Sequence, residues 1–280
     1  MKKIIVLSAL ALTAATMSAQ NIIYPKAPKD GTVDTYFGVE VSDPYRPLEA
    51  DRSQETTAWV EAENKVTNAY LEKIPFRSKL LKRLKEVADF EKVGTPFNKN
   101  GKWYVYKNNG LQNQSVLYQM DELGGQLNEF LDPNKLSDDG TVALQNTSFS
   151  KDGKYMAYVI SRSGSDWQEI YLMDVATGEL LTDHIEWAKF GGPQWCGNGF
   201  YYSAYDAPEK GKEFSSKNEV HKVYYHKIGT KQSDDVLFYQ NPAHPLRFYS
   251  VSLNEDETVM FLNESGAGSG MNLYVRDLRV

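Results

Sequence analysis

Gly101-Lys-Trp-Tyr-Val-Tyr106 begins as a polar turn and runs into an aromatic strand, and three later segments resemble it. They are Gly153-Lys-Tyr-Met-Ala-Tyr158, Gly199-Phe-Tyr-Tyr202 and Glu257-Thr-Val-Met-Phe261. Each continues into a second strand centred on a tyrosine, and these tyrosines, Tyr118, Tyr171, Tyr224 and Tyr274, lie 53, 53 and 50 residues apart. A repeat of about 50 residues with several short strands predicts β-propeller blades. An ordinary meander or sandwich is the alternative.

The predicted fold is therefore mainly β, with about four propeller blades. Four blades are about the lower limit for a closed ring, and the fourth repeat reaches Val280 without an outer strand. An open ring leaves a bare sheet edge, which favours aggregation. We therefore expect these repeats to form part of a larger ring.

An extended segment and two helices are predicted before the repeats, with a short strand at Thr35–Phe37. Thr56 or Thr57 is expected to cap the first helix and Ser78 the second. Apolar residues recur at helical spacing: Trp59, Val60, Val66, Tyr70 and Leu71 in the first helix, and Leu80, Leu81, Leu84 and Val87 in the second. Such stripes need another surface to cover them.

The first 20 residues are predicted to be a secretory signal. Lys2 and Lys3 give a basic start, an apolar run follows to Ala15, and small residues precede Gln20. A transmembrane helix or a buried helix is the alternative, but the apolar run is shorter than the roughly 20 residues that a span needs. The mature chain is expected in a periplasm or outside the cell.

The charge balance excludes two classes of partner. The formal net charge is −6, and it becomes −8 when the two lysines of the signal are removed. An acidic chain has no basic surface for nucleic acid or for an anionic membrane.

The single cysteine, Cys196, cannot form an internal disulfide and is expected to be a small buried apolar residue.

The sequence offers no catalytic residue, metal ligand or cofactor site. It contains no Gly-x-Ser-x-Gly segment, and Gly266-Ala-Gly-Ser-Gly270 has the wrong spacing and reads as a flexible turn. The four histidines, His184, His221, His226 and His244, show no metal-binding spacing and are expected to be surface or packing residues. No cofactor is therefore expected.

Several collinear stretches resemble the prolyl oligopeptidase family across residues 24–278. They include Asp43-Pro-Tyr-Arg46, Val60-Glu-Ala-Glu-Asn-Lys-Val66, Asn109-Gly-Leu-Gln-Asn-Gln114, the segment from Leu131 to Leu144, and Gly164-Ser-Asp-Trp167. The resemblance implies an α/β-hydrolase domain and a seven-bladed propeller that admits only short peptides. In family members the main part of the hydrolase domain lies at the C-terminal end of the chain. It assigns 1–20 to the signal, 21–89 to the hydrolase side and 90–280 to the first blades. The family's Ser-Asp-His triad lies in the C-terminal domain, which this sequence lacks.

The resemblance also implies substrate contacts on the propeller. Phe190 matches a phenylalanine that lines the pocket beyond the proline site, and Asp166 matches an aspartate that orients a substrate-binding arginine of the hydrolase domain. Trp167 completes the candidate set. From the residues alone, Asp166 also fits a turn residue beside a packed tryptophan. The sequence departs from relatives at Pro47, at Gln145 and in the cysteine-free loop 266–270.

These observations predict the propeller portion of a secreted prolyl endopeptidase, which gates and helps bind proline-containing peptides. The portion represented here is expected to be inactive alone, because the triad is absent. The alternative is a propeller module without enzymatic activity that binds peptide or protein.

Overall fold

The computed structural model describes residues 22–50, 52–266, 268 and 270–279. The predicted signal at 1–20 lies outside them. The chain divides into two compact units, one ending at Arg77 and the other beginning at Ser78. The domain boundary predicted after Asp89 stays a prediction. None of the helices in the described residues is long and apolar enough to span a membrane.

The first unit contains a β-hairpin and a helix. The elements are β1 (Val33–Tyr36), β2 (Val39–Ser42), a short 3-10 turn (Arg46–Glu49) and α1 (Gln54–Leu71). Arg46 of the Asp-Pro-Tyr-Arg stretch binds the carboxylates of Asp34 in β1 and of Asp43. This motif therefore fastens the hairpin to the turn that precedes α1.

The start of α1 corrects one prediction. Ser53 caps the helix, since its hydroxyl accepts a hydrogen bond from the Thr56 amide at 3.1 Å. Thr56 lies inside the first turn, where its side chain is buried and its hydroxyl donates to the Pro47 carbonyl. The predicted strand is also shifted, because the chain turns at Phe37 and does not continue the strand through it.

The second unit begins within α2 and continues, in the described residues, as antiparallel strands in sheets of five, eight and three strands. Helix α2 (Arg77–Ala88) already includes Ser78, so Ser78 is not its cap. The apolar side chains Leu80, Leu81, Leu84 and Val87 are all exposed. The predicted stripe therefore exists, and it presents apolar surface to solvent.

The four blades follow the predicted repeat. Blade one has β3 (Lys92–Val93), β4 (Phe97–Lys99), β5 (Lys102–Asn108), β6 (Val116–Met120) and β7 (Asn128–Leu131). Blade two has β8 (Val142–Phe149), β9 (Tyr155–Arg162), β10 (Gln168–Asp174) and β11 (Leu180–Ala188). Blade three has β12 (Gln194–Cys196), β13 (Gly199–Ala204), β14 (Lys222–Lys227) and β15 (Val236–Gln240). Blade four has β16 (Phe248–Leu253), β17 (Val259–Ser265) and β18 (Met271–Asp277).

The repeated tyrosines Tyr118, Tyr171, Tyr224 and Tyr274 occupy β6, β10, β14 and β18, which are equivalent strands. Paired strands run antiparallel within each blade, and in blade one both β3 and β4 pair with β5. The mainly β propeller fold predicted from the repeat is thus confirmed.

Each pair of neighbouring blades shares an apolar core, and strand alternation explains why. In β9, Met156 and Tyr158 face the core shared with blade one, whereas Ala157 and Val159 face the core shared with blade three. A strand with period-two alternation can bury both faces in this way. A third core lies between blades three and four and includes Val223 and Tyr249.

His226 is an ionisable group inside blade three. Its ring is fully buried, with Nδ1 2.6 Å from Asp235 Oδ1 and Nε2 3.0 Å from Asp183 Oδ1. Burial lowers the pKa of His226, but the hydrogen bonds to Asp235 and Asp183 outweigh burial and the net pKa is raised. His226 of β14 is therefore hydrogen-bonded both to Asp183 of β11 and to Asp235, which directly precedes β15.

The core between blades two and three yields a stability prediction. Leu172 in β10 is fully buried and Leu180 in β11 is 57% exposed. We expect L172A to lower the free energy of unfolding by about 2–5 kcal/mol, because it removes buried methyl groups and leaves a cavity. The matched change L180A should cost no more than about 0.5 kcal/mol. Urea denaturation measures both, and equal losses would contradict this assignment of the core.

Candidate functional site

The last residues of β11 leave blade two and join blade three. Ala188 pairs with Gln168 of β10 on one side and with Ala204 of β13 on the other. The Lys189 amide donates to the Ser203 carbonyl at 3.0 Å. These contacts join the strands of blades two and three into one eight-stranded sheet. We call residues 187–190 the crossing segment.

Two aromatic residues of the crossing segment have left-handed backbone conformations. Trp187 has φ 60° and Phe190 has φ 58°. Such a conformation costs a residue other than glycine about 1–3 kcal/mol, and it persists only where the surroundings enforce it. Strained residues of this kind concentrate at functional sites. The crossing segment is therefore the candidate site.

Gly191 comes directly after the crossing segment in sequence and packs closely against Ser203 of blade three. A Cβ atom at Gly191 would lie 2.5 Å from Ser203 Oγ and 2.8 Å from Ser203 Cβ. Ser203 has little room to move, because its hydroxyl donates to the Tyr249 carbonyl in the buried interior. Glycine is thus required here for close approach.

All three residues predicted to contact substrate converge on Lys189. The Lys189 ammonium lies 3.8 Å from the Asp166 carboxylate, 4.6 Å from the Trp167 ring centroid and 5.3 Å from the Phe190 ring centroid. Phe190 is 52% exposed, and the Asp166 side chain is 77% exposed. The structure thus brings the predicted residues together, and their contact with substrate stays a prediction.

Aromatic rings surround this point. Trp167 packs edge-on against Trp187 at 5.4 Å and against Tyr205 at 6.3 Å. Phe190 lies 6.5 Å from Tyr205 and 5.5 Å from Phe248. The junction patch is defined by these residues: Asp166, Trp167, Trp187, Lys189, Phe190, Tyr205 and Phe248.

The electrostatics of the junction patch suit binding. Lys189 is almost fully buried, and its cation is attracted to the ring faces of Trp167 and Phe190. The distance to Asp166 is longer than the 2.7–2.9 Å or so of a charge-assisted hydrogen bond, so the carboxylate is held loosely. An aromatic surface with one exposed carboxylate offers stacking and hydrogen bonding to a peptide.

Sequence reasoning missed four members of the junction patch. Trp187 and Lys189 adjoin Phe190, and the aromatic density of this stretch was an available signal. Tyr205 directly follows β13 and Phe248 begins β16, and no local pattern in the sequence links either residue to Phe190. Only the packing of the blades against one another brings them together.

The positions at which the sequence departs from relatives lie at other sites. Gln145 in β8 donates to the Ser161 hydroxyl at 2.8 Å. Gly266, Gly268 and Gly270 line a cavity of about 580 Å³ together with Arg247 and the buried Glu264. Arg247 binds the Glu264 carboxylate, which also accepts a hydrogen bond from the Tyr274 hydroxyl at 2.7 Å.

Within the part of the chain that the structure describes, no three His, Cys, Asp or Glu side chains are arranged to hold a metal ion. The Cys196 thiol is half-buried, and burial raises its pKa.

Three comparisons relate this architecture to known proteins. Residues 25–280 match the family model described as prolyl oligopeptidase, N-terminal beta-propeller domain. A prolyl endopeptidase from Elizabethkingia miricola is 45% identical over 273 residues, which cover 96% of this chain and 39% of that protein. Prolyl oligopeptidase A from Amanita bisporigera is 34% identical over 290 residues, covering 91% of this chain and 38% of that protein.

A solved structure of a prolyl oligopeptidase B mutant from Galerina marginata, bound to a 35mer hydrolysis and macrocyclization substrate, is also similar. It matches with a TM-score of 0.74 and 30% identity, over 91% of this chain and 39% of that chain. Fold and site together define a β-propeller with an exposed aromatic patch between blades. The chain belongs to the prolyl oligopeptidase family, and it matches the family's N-terminal propeller domain. It spans about two fifths of the length of the curated relatives it matches.

The close approach at Gly191 yields a second stability prediction. We expect G191A to lower the free energy of unfolding by about 1–3 kcal/mol, because the added methyl group overpacks Ser203. Gly192 is the matched control, since its Cβ would meet only the Asn146 side-chain amide nitrogen, at 3.3 Å. G192A should be neutral or stabilising by up to about 1 kcal/mol through the unfolded chain. Thermal and urea unfolding measure both variants, and an unperturbed G191A would refute the tight contact.

Proposed function

We propose that this chain is the peptide-binding propeller portion of a prolyl endopeptidase. The observation that carries the proposal is the convergence of Phe190, Asp166 and Trp167 on Lys189 at the exposed end of the crossing segment. The similarity to prolyl endopeptidases supports the same conclusion. Phe190 would line the pocket beyond the proline site, and the ring faces beside it would exclude water.

Hydrolysis would come from a serine acyl-transfer site in an α/β-hydrolase domain that acts with this propeller. In such a site a serine attacks the peptide carbonyl, a histidine takes its proton, and backbone amides stabilise the oxyanion. The exposed apolar side chains of α2 support a partner surface of this kind. Asp166 is exposed and only loosely held by Lys189, so it is available to orient a guanidinium of that domain.

The propeller itself would restrict access to the site, so that short proline-containing peptides are the substrate class. We also propose export to a periplasm or the exterior, since a basic start and an apolar run precede Gln20. The acidic charge of the chain is consistent with peptides, and not nucleic acid, as its ligands.

The first functional prediction concerns catalysis. The chain expressed from Asn21 to Val280 is expected to show no turnover of a chromogenic Gly-Pro substrate, because no serine nucleophile elbow occurs in its sequence. A full-length prolyl endopeptidase serves as the positive control. Turnover that serine-directed inhibitors abolish would overturn this part of the proposal.

The second functional prediction concerns peptide binding at Phe190. We expect F190A to weaken the affinity for a blocked Gly-Pro peptide about tenfold, which corresponds to the loss of one aromatic contact. Phe37 offers a matched control, since it is a fully exposed phenylalanine with a left-handed φ of 51° in the β1–β2 turn. F37A should leave the affinity unchanged. Titration followed by NMR chemical shifts measures the dissociation constants, and equal effects of the two variants would refute the site.

A further inference from the structure

His221 lies directly beneath the junction patch. Its residue is fully buried, immediately before β14, and its ring is 6.2 Å from the Phe190 ring and 4.6 Å from the Tyr205 ring. Both ring nitrogens contact backbone groups. Nε2 lies 2.9 Å from the Lys189 carbonyl oxygen, and the Tyr249 amide donates to Nδ1 at 2.8 Å.

These two contacts determine the protonation of the ring. Nδ1 accepts a hydrogen bond from a backbone N–H, so it carries no proton. Nε2 therefore carries the proton and donates it to the Lys189 carbonyl. Burial lowers the pKa of His221 to about 4, and the hydrogen bond to the Lys189 carbonyl only partly opposes this effect. The ring is thus neutral, with a single tautomer, at neutral pH.

The hydrogen bonds form a closed cycle of four residues. His221 donates to Lys189, and the Lys189 amide donates to the Ser203 carbonyl at 3.0 Å. The Ser203 hydroxyl donates to the Tyr249 carbonyl at 2.8 Å, and the Tyr249 amide donates back to His221. The cycle joins the crossing segment to β13 and to β16 of blade four.

We propose that His221 is a positioning residue for Phe190, the residue proposed above to contact the peptide. His221 holds the carbonyl of Lys189, and this carbonyl belongs to the peptide unit that connects Lys189 to Phe190. Fixing that unit fixes the left-handed backbone of Phe190 and the direction in which its ring projects. The proposal rests on the proposed function for its consequence in binding, but its geometry is testable separately.

Two substitutions separate the two hydrogen bonds of the ring. In H221Q the side-chain amide places a donor near the position of Nε2, so the bond to the Lys189 carbonyl is retained. In H221N the side-chain oxygen lies near the position of Nδ1, so the bond from the Tyr249 amide is retained and the bond to Lys189 is lost. Each variant is therefore the matched control for the other.

The structural readout is amide hydrogen exchange measured by NMR. We expect the Lys189 amide to exchange about tenfold faster in H221N than in H221Q, since loss of the Lys189 carbonyl bond frees the crossing segment. The Phe190 amide shift should move in H221N and remain near its wild-type value in H221Q. Equal behaviour of the two variants at Lys189 and Phe190 would overturn the proposal.

The binding readout uses a blocked Gly-Pro peptide. H221Q should bind within about threefold of wild type, whereas H221N should bind about tenfold more weakly, as F190A does. In the double variant H221N/F190A, the histidine change should add nothing, because the ring that it positions is gone. A purely structural histidine would instead lower stability in both variants and leave their affinities equal.

The wild-type protein provides a test that needs no variant to fold. Long-range ¹H–¹⁵N NMR should show His221 as the neutral Nε2–H tautomer at pH 7, and an Nδ1–H or charged ring would overturn the proposal. If the wild-type chain binds no peptide, the binding part of the proposed function fails. The tautomer and the exchange of Lys189 still decide the role of His221 in that case.

Discussion

The pairing of Ala188 with Ala204 is the contact on which the site depends. It draws the end of β11 out of blade two and onto β13 of blade three. This pairing brings Phe190 to the side of blade three that packs against blade four, where its ring contacts Phe248. The site is therefore a consequence of how two blades are joined, and the repeat alone does not produce it.

The strain of the crossing segment is comparable to the hydrogen bonding that holds it. Two left-handed aromatic residues cost about 2–6 kcal/mol in total. The four hydrogen bonds of the cycle through His221 contribute a similar total of about 2–6 kcal/mol. Because the strain energy and the hydrogen-bond energy are about equal, the packing of the rings around Trp167 and Tyr205 determines whether the segment keeps this conformation. A site with so narrow a balance is sensitive to single changes in the residues beneath it.

The blades could be predicted from the sequence because the signals that specify them lie within short segments. Aromatic strands, polar turns and a regular tyrosine spacing all follow from the needs of a two-faced sheet, and each is visible in one short segment. The helix caps were predicted less well, since Ser53 and Thr56 both have hydroxyl groups and only the backbone geometry shows which one is outside the helix. Phe190 and Asp166 were predicted as site residues only through the resemblance to a known family.

The other residues of the site could not be predicted from the sequence, because they contact Phe190 across long sequence separations. Nothing in Tyr205 or Phe248 marks these residues as neighbours of Phe190, and nothing in His221 distinguishes it from His226. Both histidines are fully buried. Burial lowers the pKa of both rings, but His226 lies between two carboxylates whose hydrogen bonds outweigh this effect, whereas His221 lies between two backbone groups that do not. The net pKa of His226 is therefore raised and that of His221 is lowered.

The junction patch draws its residues from three blades, so its geometry depends on the packing of all three. Trp167 belongs to blade two, Tyr205 follows β13 of blade three, and Phe248 begins blade four. A change in the relative position of any two blades would alter the distances among these rings. His221 contacts both the crossing segment and β16, so it opposes such a change at the point where the rings meet. A buried neutral histidine suits this task, since a single ring accepts from one blade, donates to the other, and brings no charge into the core.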